Sequence, residues 1–197
     1  MIRCLFRVLF SIVIVIAGTP IVWAQSYNFE LRFANQTIGT IAAQRKTNGA
    51  AKSITITTRV QSLLSKVNLD ILNEYKGDVL VQAKSGRQSG KNGESRETTV
   101  LREGNDYKVV VDGTRSVLNN TEITDCVAEL YFAEPKQVSR IFSETLGRFL
   151  PIRSIGKGHY ELVLPEGKKN IYKYENGTLV EVEVSHQLGK ALIVRVS

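Results

Sequence analysis

The side chains that could do chemistry in this 197-residue chain are few, and their spacing is poor. There are two histidines, His159 and His186. Zinc chemistry needs three or four His, Cys or carboxylate ligands at short spacing, and neither His159-Tyr160-Glu161 nor Val184-Ser185-His186 supplies such a set. A Ser-His-Asp hydrolase would place its serine in a Gly-x-Ser-x-Gly elbow, which is missing, and Cys126 lacks the context of a cysteine protease. Glu181 and Glu183 stand on one face of a strand about 7 Å apart, a separation that suits paired glycosidase carboxylates. They alternate with Val180, Val182 and Val184, however, and so read as the wet side of an amphipathic strand. No enzyme activity, metal or cofactor is expected.

Two groups of residues have the composition of a binding surface. The stretch from Lys84 to Arg96 holds four basic residues (Lys84, Arg87, Lys91, Arg96), one acid and three glycines. It reads either as a solvated loop or as a hairpin tip that contacts anionic headgroups or acidic polysaccharide. Nucleic acid is not expected, because the stretch carries no aromatic residue for base stacking. The second group is aromatic. Tyr131, Phe132, Tyr172 and Tyr174, with Phe142, Phe149 and Tyr160 nearby, would line an apolar cavity for a lipid-like ligand if the fold leaves its interior open, or form the core if it does not.

The elements that must position these residues begin after a leader. Arg3 and Arg7 precede an apolar run from Val8 to Ala17, and Val22-Trp23-Ala24 ends in the small residue that a signal peptidase accepts, so residues 1–24 read as a secretory signal peptide and 25–197 as one exported domain. The apolar run is shorter than the roughly 20 residues that span a bilayer, and no transmembrane segment is expected after cleavage. Arg3 and Arg7 leave with the leader, so the net charge falls from +7 to a mild +5. Cys4 leaves too, and Cys126 alone cannot form an intramolecular disulfide. It reads as a small buried hydrophobe, with an intermolecular or reactive thiol as the other reading.

Through the exported part, apolar and polar residues alternate with a period of two. Tyr27, Phe29, Leu31 and Phe33 share one face, as do Ile54, Ile56 and Val60; Val67, Leu69 and Ile71; Tyr160, Leu162 and Leu164; and Val180, Val182 and Val184. Leu192, Val194 and Val196 follow. Between these runs stand Asn48-Gly49, Lys76-Gly77-Asp78, Asp112-Gly113, Pro165-Glu166-Gly167 and Asn176-Gly177, the residues of tight antiparallel hairpins. Ten to twelve strands in meander order are expected, longer in the N-terminal half. One short helix is expected near 125–133, capped by Thr124 or Asp125, with Val127, Leu130 and Tyr131 on its buried face and Glu134-Pro135 at its end. An all-β antiparallel sheet with one apolar face must curl over it, as a barrel, a half-barrel around the helix, or a sandwich.

The residues Ala128-Glu129-Leu130-Tyr131-Phe132-Ala133-Glu134-Pro135, Phe142-Ser143-Glu144 with Gly147 and Phe149, Gly158-His159-Tyr160-Glu161-Leu162, Leu164-Pro165-Glu166-Gly167, Asn170-Ile171-Tyr172-Lys173-Tyr174 and Asn176-Gly177 resemble a family of secreted proteins of Gram-negative bacteria known as a domain of unknown function. The resemblance implies an all-β periplasmic domain, and it implies no activity, cofactor or site residue. At the level of shape, such proteins look like the Lol-type lipoprotein carriers. The expected function is that of an exported, non-enzymatic envelope protein that binds a hydrophobic or lipid-like ligand inside a curved sheet. The alternative is a structural or adhesive module that engages another envelope protein.

Overall fold

A computed structural model describes residues 22–61, 66–90, 94–186 and 189–196. They form fourteen strands: β1 (Val22–Phe33), β2 (Gln36–Asn48), β3 (Ala51–Gln61), β4 (Lys66–Lys76), β5 (Val79–Ser89), β6 (Glu94–Glu103), β7 (Asp106–Val111), β8 (Thr114–Leu118), β9 (Arg140–Ser143), β10 (Arg148–Gly156), β11 (His159–Val163), β12 (Lys169–Glu175), β13 (Thr178–His186) and β14 (Gly189–Arg195). All belong to one antiparallel sheet ordered β8-β7-β6-β5-β4-β3-β2-β1-β14-β13-β12-β11-β10-β9, so two meanders meet where β1 pairs with β14. The sheet is rolled but not closed, an all-β half-barrel, one of the closures that the alternation allows.

Of the residues expected on the inward face, Phe29, Ile54, Ile56, Ile71, Leu162 and Val182 are buried, and Ile41 and Ala43 of β2, which the alternation did not pick out, are buried with them. Period-two alternation puts each set on one side of its strand, and burial of that side is the largest favourable contribution to folding. Hairpin turns follow the residue chemistry. Asp112 and Gly113 (φ 49° and 82°) and Asn176 and Gly177 (φ 50° and 77°) adopt the paired positive φ angles of a type I′ turn. Ala34 and Asn35 do the same at 47° and 63° without a glycine.

Several expectations are corrected. Of the basic stretch, the described residues 84–89 and 94–96 are strand, not loop: β5 continues to Ser89 and β6 starts at Glu94, paired along Ser85 to Ser89 as the arms of a hairpin. The helix is a single 3₁₀ turn, Val127–Tyr131, with no side-chain cap; the Thr124 hydroxyl donates to Asp125 instead, and the buried residues are Ala128 and Leu130 rather than Val127 and Tyr131. A bulge between Lys173 and Tyr174 turns Leu179 inward, at 2% exposure, where Val180 was expected. In β14 it is Ala191 and Ile193 that face inward, paired with Val184 and Val182, so Leu192 and Val194 lie on the outer side. The first strand begins at Val22, so the last three residues read as leader pair with Asn48, Thr47 and Lys46, although Val22 and Trp23 remain exposed.

The 119–139 connection runs from one edge of the sheet, β8, to the other, β9. Its first part ties to the sheet through the Ile123 carbonyl, which accepts from Leu80 N–H at 2.9 Å, and through Asn105 O, which accepts from Thr121 N–H. It then meets β9 in a parallel bridge, Cys126 with Phe142. The β9 edge is tucked inside the curl. Ile141, Phe142 and Ser143 are buried on successive positions, hence on both faces, and the turn after them lies against the inward side of β4–β7.

Candidate functional site

The 3₁₀ turn plugs the lower end of the roll, where β1 begins. It sits there because three of its groups find partners, two on the sheet and one in the turn after β9. Tyr174 Oη donates to the Leu130 carbonyl at 2.7 Å, the Ala128 N–H donates to Glu144 Oε1 at 2.9 Å, and Lys52 Nζ donates to Glu129 Oε1 at 2.6 Å. Around it the predicted aromatic residues are brought together. Tyr131 meets Phe29 edge to face at 5.2 Å, Phe132 lies 5.5 Å from Tyr27, and Tyr174 meets Tyr160 at 5.7 Å. Tyr172 and Tyr174 are 4% and 5% exposed. These rings are core and floor of the roll, and burial pushes the phenols of Tyr131, Tyr172 and Tyr174 far above their ordinary range.

Above the floor lies a polar cluster that the sequence reading did not single out. Glu144, 1% exposed, accepts from Asn73 Nδ2 at 2.7 Å as well as from Ala128, and its backbone carbonyl accepts from Ser85 Oγ. Asn73 Nδ2 also donates to Tyr75 Oη. Burial raises the Glu144 carboxyl despite those hydrogen bonds, and it raises the Cys126 thiol, with the Glu144 charge adding to the effect. A protonated thiol without a base beside it is a weak nucleophile. Glu129 is raised by burial too, against the pull of Lys52, which also stacks 4.2 Å over the Tyr75 ring. These contacts make the cluster a fastener that holds the plug and the β9 turn to the sheet.

The upper end is different. Cross-strand register places Leu31, Val60, Val67, Leu69 and Val184 on the inward face above the buried layer, and all five are half-buried. In the other meander Leu146 and Leu164 are likewise half-buried against the core. Gly39 keeps β2 and β3 close there: a Cβ at this position would lie 2.4 Å from Arg59 O and 2.9 Å from Val60 Cα. The side-chain oxygen of Asn170, inward between Leu162 and Val184, is buried without a hydrogen-bond partner among the described residues. A buried acceptor in that condition costs about 1–3 kcal/mol and is satisfied by a donor from outside the chain or by water.

The basic residues divide between the two sides of the sheet. Lys84 faces outward. Arg87 and Arg96 face inward, directly opposite one another on β5 and β6, and Arg87 is also opposite Leu69 on β4. Lys91 lies outside the described residues. His159 is half-exposed with Nδ1 2.9 Å from Lys157 O, and Glu181 and Glu183 lie on the outer face. Among the described residues no three His, Cys, Asp or Glu side chains are placed to hold a metal ion, and no helix is long and apolar enough to cross a membrane.

Comparison with solved structures finds the same architecture in the crystal structure of a β-barrel-like protein from Brucella abortus that carries another domain of unknown function, DUF1849. The TM-score is 0.54 at 10% identity, over 87% of this chain and 95% of that one, which is a likeness of fold. No curated protein matches the sequence. The family model described as Domain of unknown function (DUF6134) matches residues 29–196, and the chain belongs to that family.

Proposed function

We propose that this domain is exported and binds a hydrophobic or lipid-like ligand at the upper mouth of its rolled sheet, without catalysing a reaction on it. The observation that carries the reading is the strip of half-buried apolar side chains, Leu31, Val60, Val67, Leu69 and Val184, on the inward face above a floor that is already filled. An inward-facing residue of a rolled sheet is normally covered by the opposite wall; here the tucked β9 turn covers β4–β7 lower down and leaves this strip wetter than the core. Burying such a strip under a ligand gains roughly 25 cal/mol per Å² of apolar area. The mouths of curved β-sheets are a usual place for greasy ligands. The protonated state favoured for Cys126 and the structural use of Glu144 support a role other than catalysis.

Native mass spectrometry of the protein purified from its own cell envelope tests this, together with titration of an environment-sensitive apolar dye. The expected result is a co-purifying apolar molecule and saturable dye binding, both lost in Val60→Gln/Leu69→Gln with the far-ultraviolet circular dichroism unchanged. A clean protein that binds no dye would overturn the proposal.

A further inference from the structure

Resting on the reading of the mouth as an apolar binding surface, we infer that its ligand is an amphiphile with a full negative charge at its head, and that Arg87 and Arg96 hold that head. Directly opposed residues on one sheet face have Cβ atoms about 5 Å apart, so Leu69, Arg87 and Arg96 form a continuous row running from grease to charge. A ligand whose chain lies along Leu69, Val67 and Val60 therefore brings its head to the two guanidinium groups.

Some cations on the sheet surface are matched, as Arg59 is by Asp70 at 2.8 Å and Lys108 by Glu103 at 2.7 Å, and others, Lys84 and Arg115 among them, are not matched among the described residues. On the inward row, two like charges stand directly opposite each other, an arrangement that is destabilising by itself. The acids that share their surroundings are Asp112, 4.0 Å from Arg96 Nε, and Glu94, which precedes Arg96 by two residues on the same face, opposite Ser89. Among the described residues, no carboxylate lies within ion-pair distance of Arg87. Two planar donors side by side, one of them unmatched, complement a phosphate or carboxylate, which accept such forks in bidentate fashion.

Dye displacement from the full chain by a matched set of probes tests the inference: dodecyl phosphate, dodecanoate, dodecanol, dodecylphosphocholine, and inorganic phosphate alone. The two anionic amphiphiles are expected to bind about tenfold or more tighter than dodecanol, with inorganic phosphate showing no measurable displacement. In Arg87→Gln/Arg96→Gln that preference collapses to about onefold while dodecanol binding is unchanged, which also shows that the variant is folded. Equal affinity for charged and neutral amphiphiles, or a preference that survives the double substitution, overturns the inference and leaves the proposed function standing. Failure of every amphiphile to displace the dye overturns both. Tight binding of inorganic phosphate, or of an acidic polysaccharide in place of the amphiphiles, overturns the inference as well, since the charge would then be read without the chain.

Discussion

Substitution of Glu144 separates the two things that this buried carboxyl does. Its Oε1 takes two donors, the Ala128 N–H at 2.9 Å and Asn73 Nδ2 at 2.7 Å, and the side chain is 1% exposed. Glu144→Ala leaves the Ala128 N–H and one of the two Asn73 Nδ2 N–H groups buried without an acceptor, the other still facing Tyr75 Oη. At about 1–3 kcal/mol for each orphaned group, the loss is roughly 2–6 kcal/mol, a large part of the 5–15 kcal/mol that holds a typical domain together. Glu144→Gln keeps an acceptor of the same shape and removes the charge. Burial, the first cause, raises the Glu144 pKa, so a proton is bound more tightly in the folded state than in the unfolded one. Its contribution is therefore complete below the unfolded carboxylate pKa and is lost as pH rises through the folded value. Urea denaturation of both variants and the parent at pH 5 and pH 8 should show Glu144→Ala weakened at both pH values. Glu144→Gln should stay near the parent at pH 5 and gain on it at pH 8. A Gln variant as weak as the Ala variant, or a parent whose stability relative to Gln does not change with pH, would refute the assignment of Glu144 as an uncharged acceptor.

Lys52→Met should weaken the protein at pH 8 more than at pH 5, because Glu129, raised by burial, is left without its 2.6 Å partner and is relieved only when protonated; thermal unfolding at the two pH values reads this directly. Gly147→Ala should cost at least the roughly 1–2 kcal/mol of a left-handed residue, since Gly147 has φ 61° and a Cβ there would lie 2.6 Å from Val109 Cγ1 and 2.8 Å from Val111 Cγ2; denaturant midpoints measure it, and a neutral result would mean that the β9 turn does not press on β7. Cys126, fully buried with its thiol pushed up by burial, should react with an aromatic disulfide reagent only at the rate of unfolding, and fast labelling of the native protein would contradict its position behind the plug.

The strand rhythm was legible because period-two alternation and Asn-Gly or Asp-Gly turns are local signals that need nothing from the rest of the chain. The Ala34–Asn35 turn escaped because neither residue announces positive φ as glycine does, and Leu179 was passed over because a bulge shifts the register by one. The Lys84 to Arg96 stretch looked like a loop by its Ser, Gly and Lys content, yet pairing to β4 on one side carries the extended backbone through Ser89. At the mouth, Leu31, Val60, Val67 and Leu69 were visible as an apolar face. That they line a rim while Phe29, Ile56 and Ile71 line the core depends on how high the plug and the β9 turn reach, which is set by contacts 60 to 80 residues apart in sequence, such as Asn73–Glu144 and Lys52–Glu129. Arg87 and Arg96 were visible as charge; only their register shows that they share the inward row with Leu69 while Lys84 does not.

The way the roll is shut bears on which end can receive a ligand. A sheet with two free edges is exposed to pairing with other chains unless the edges are covered or closed. Here β9 is covered by being pushed inside, and β8 is short and carries Arg115 among exposed positions. The connection between those edges is bonded at the lower end, through Leu80–Ile123, Cys126–Phe142 and the Ile123 N–H, which donates to Tyr107 Oη at 3.4 Å. The diameter there is fixed by hydrogen bonds. Higher up, the two walls are related through side-chain packing of the β9 turn on β6 and β7 and the hydrogen bond from Thr98 Oγ1 to Thr145 O. That link is made by side chains and not by a strand ladder. The lower end is therefore built to stay shut, and the end that carries Leu69 beside Arg87 is the one whose opening leaves the backbone hydrogen bonds intact.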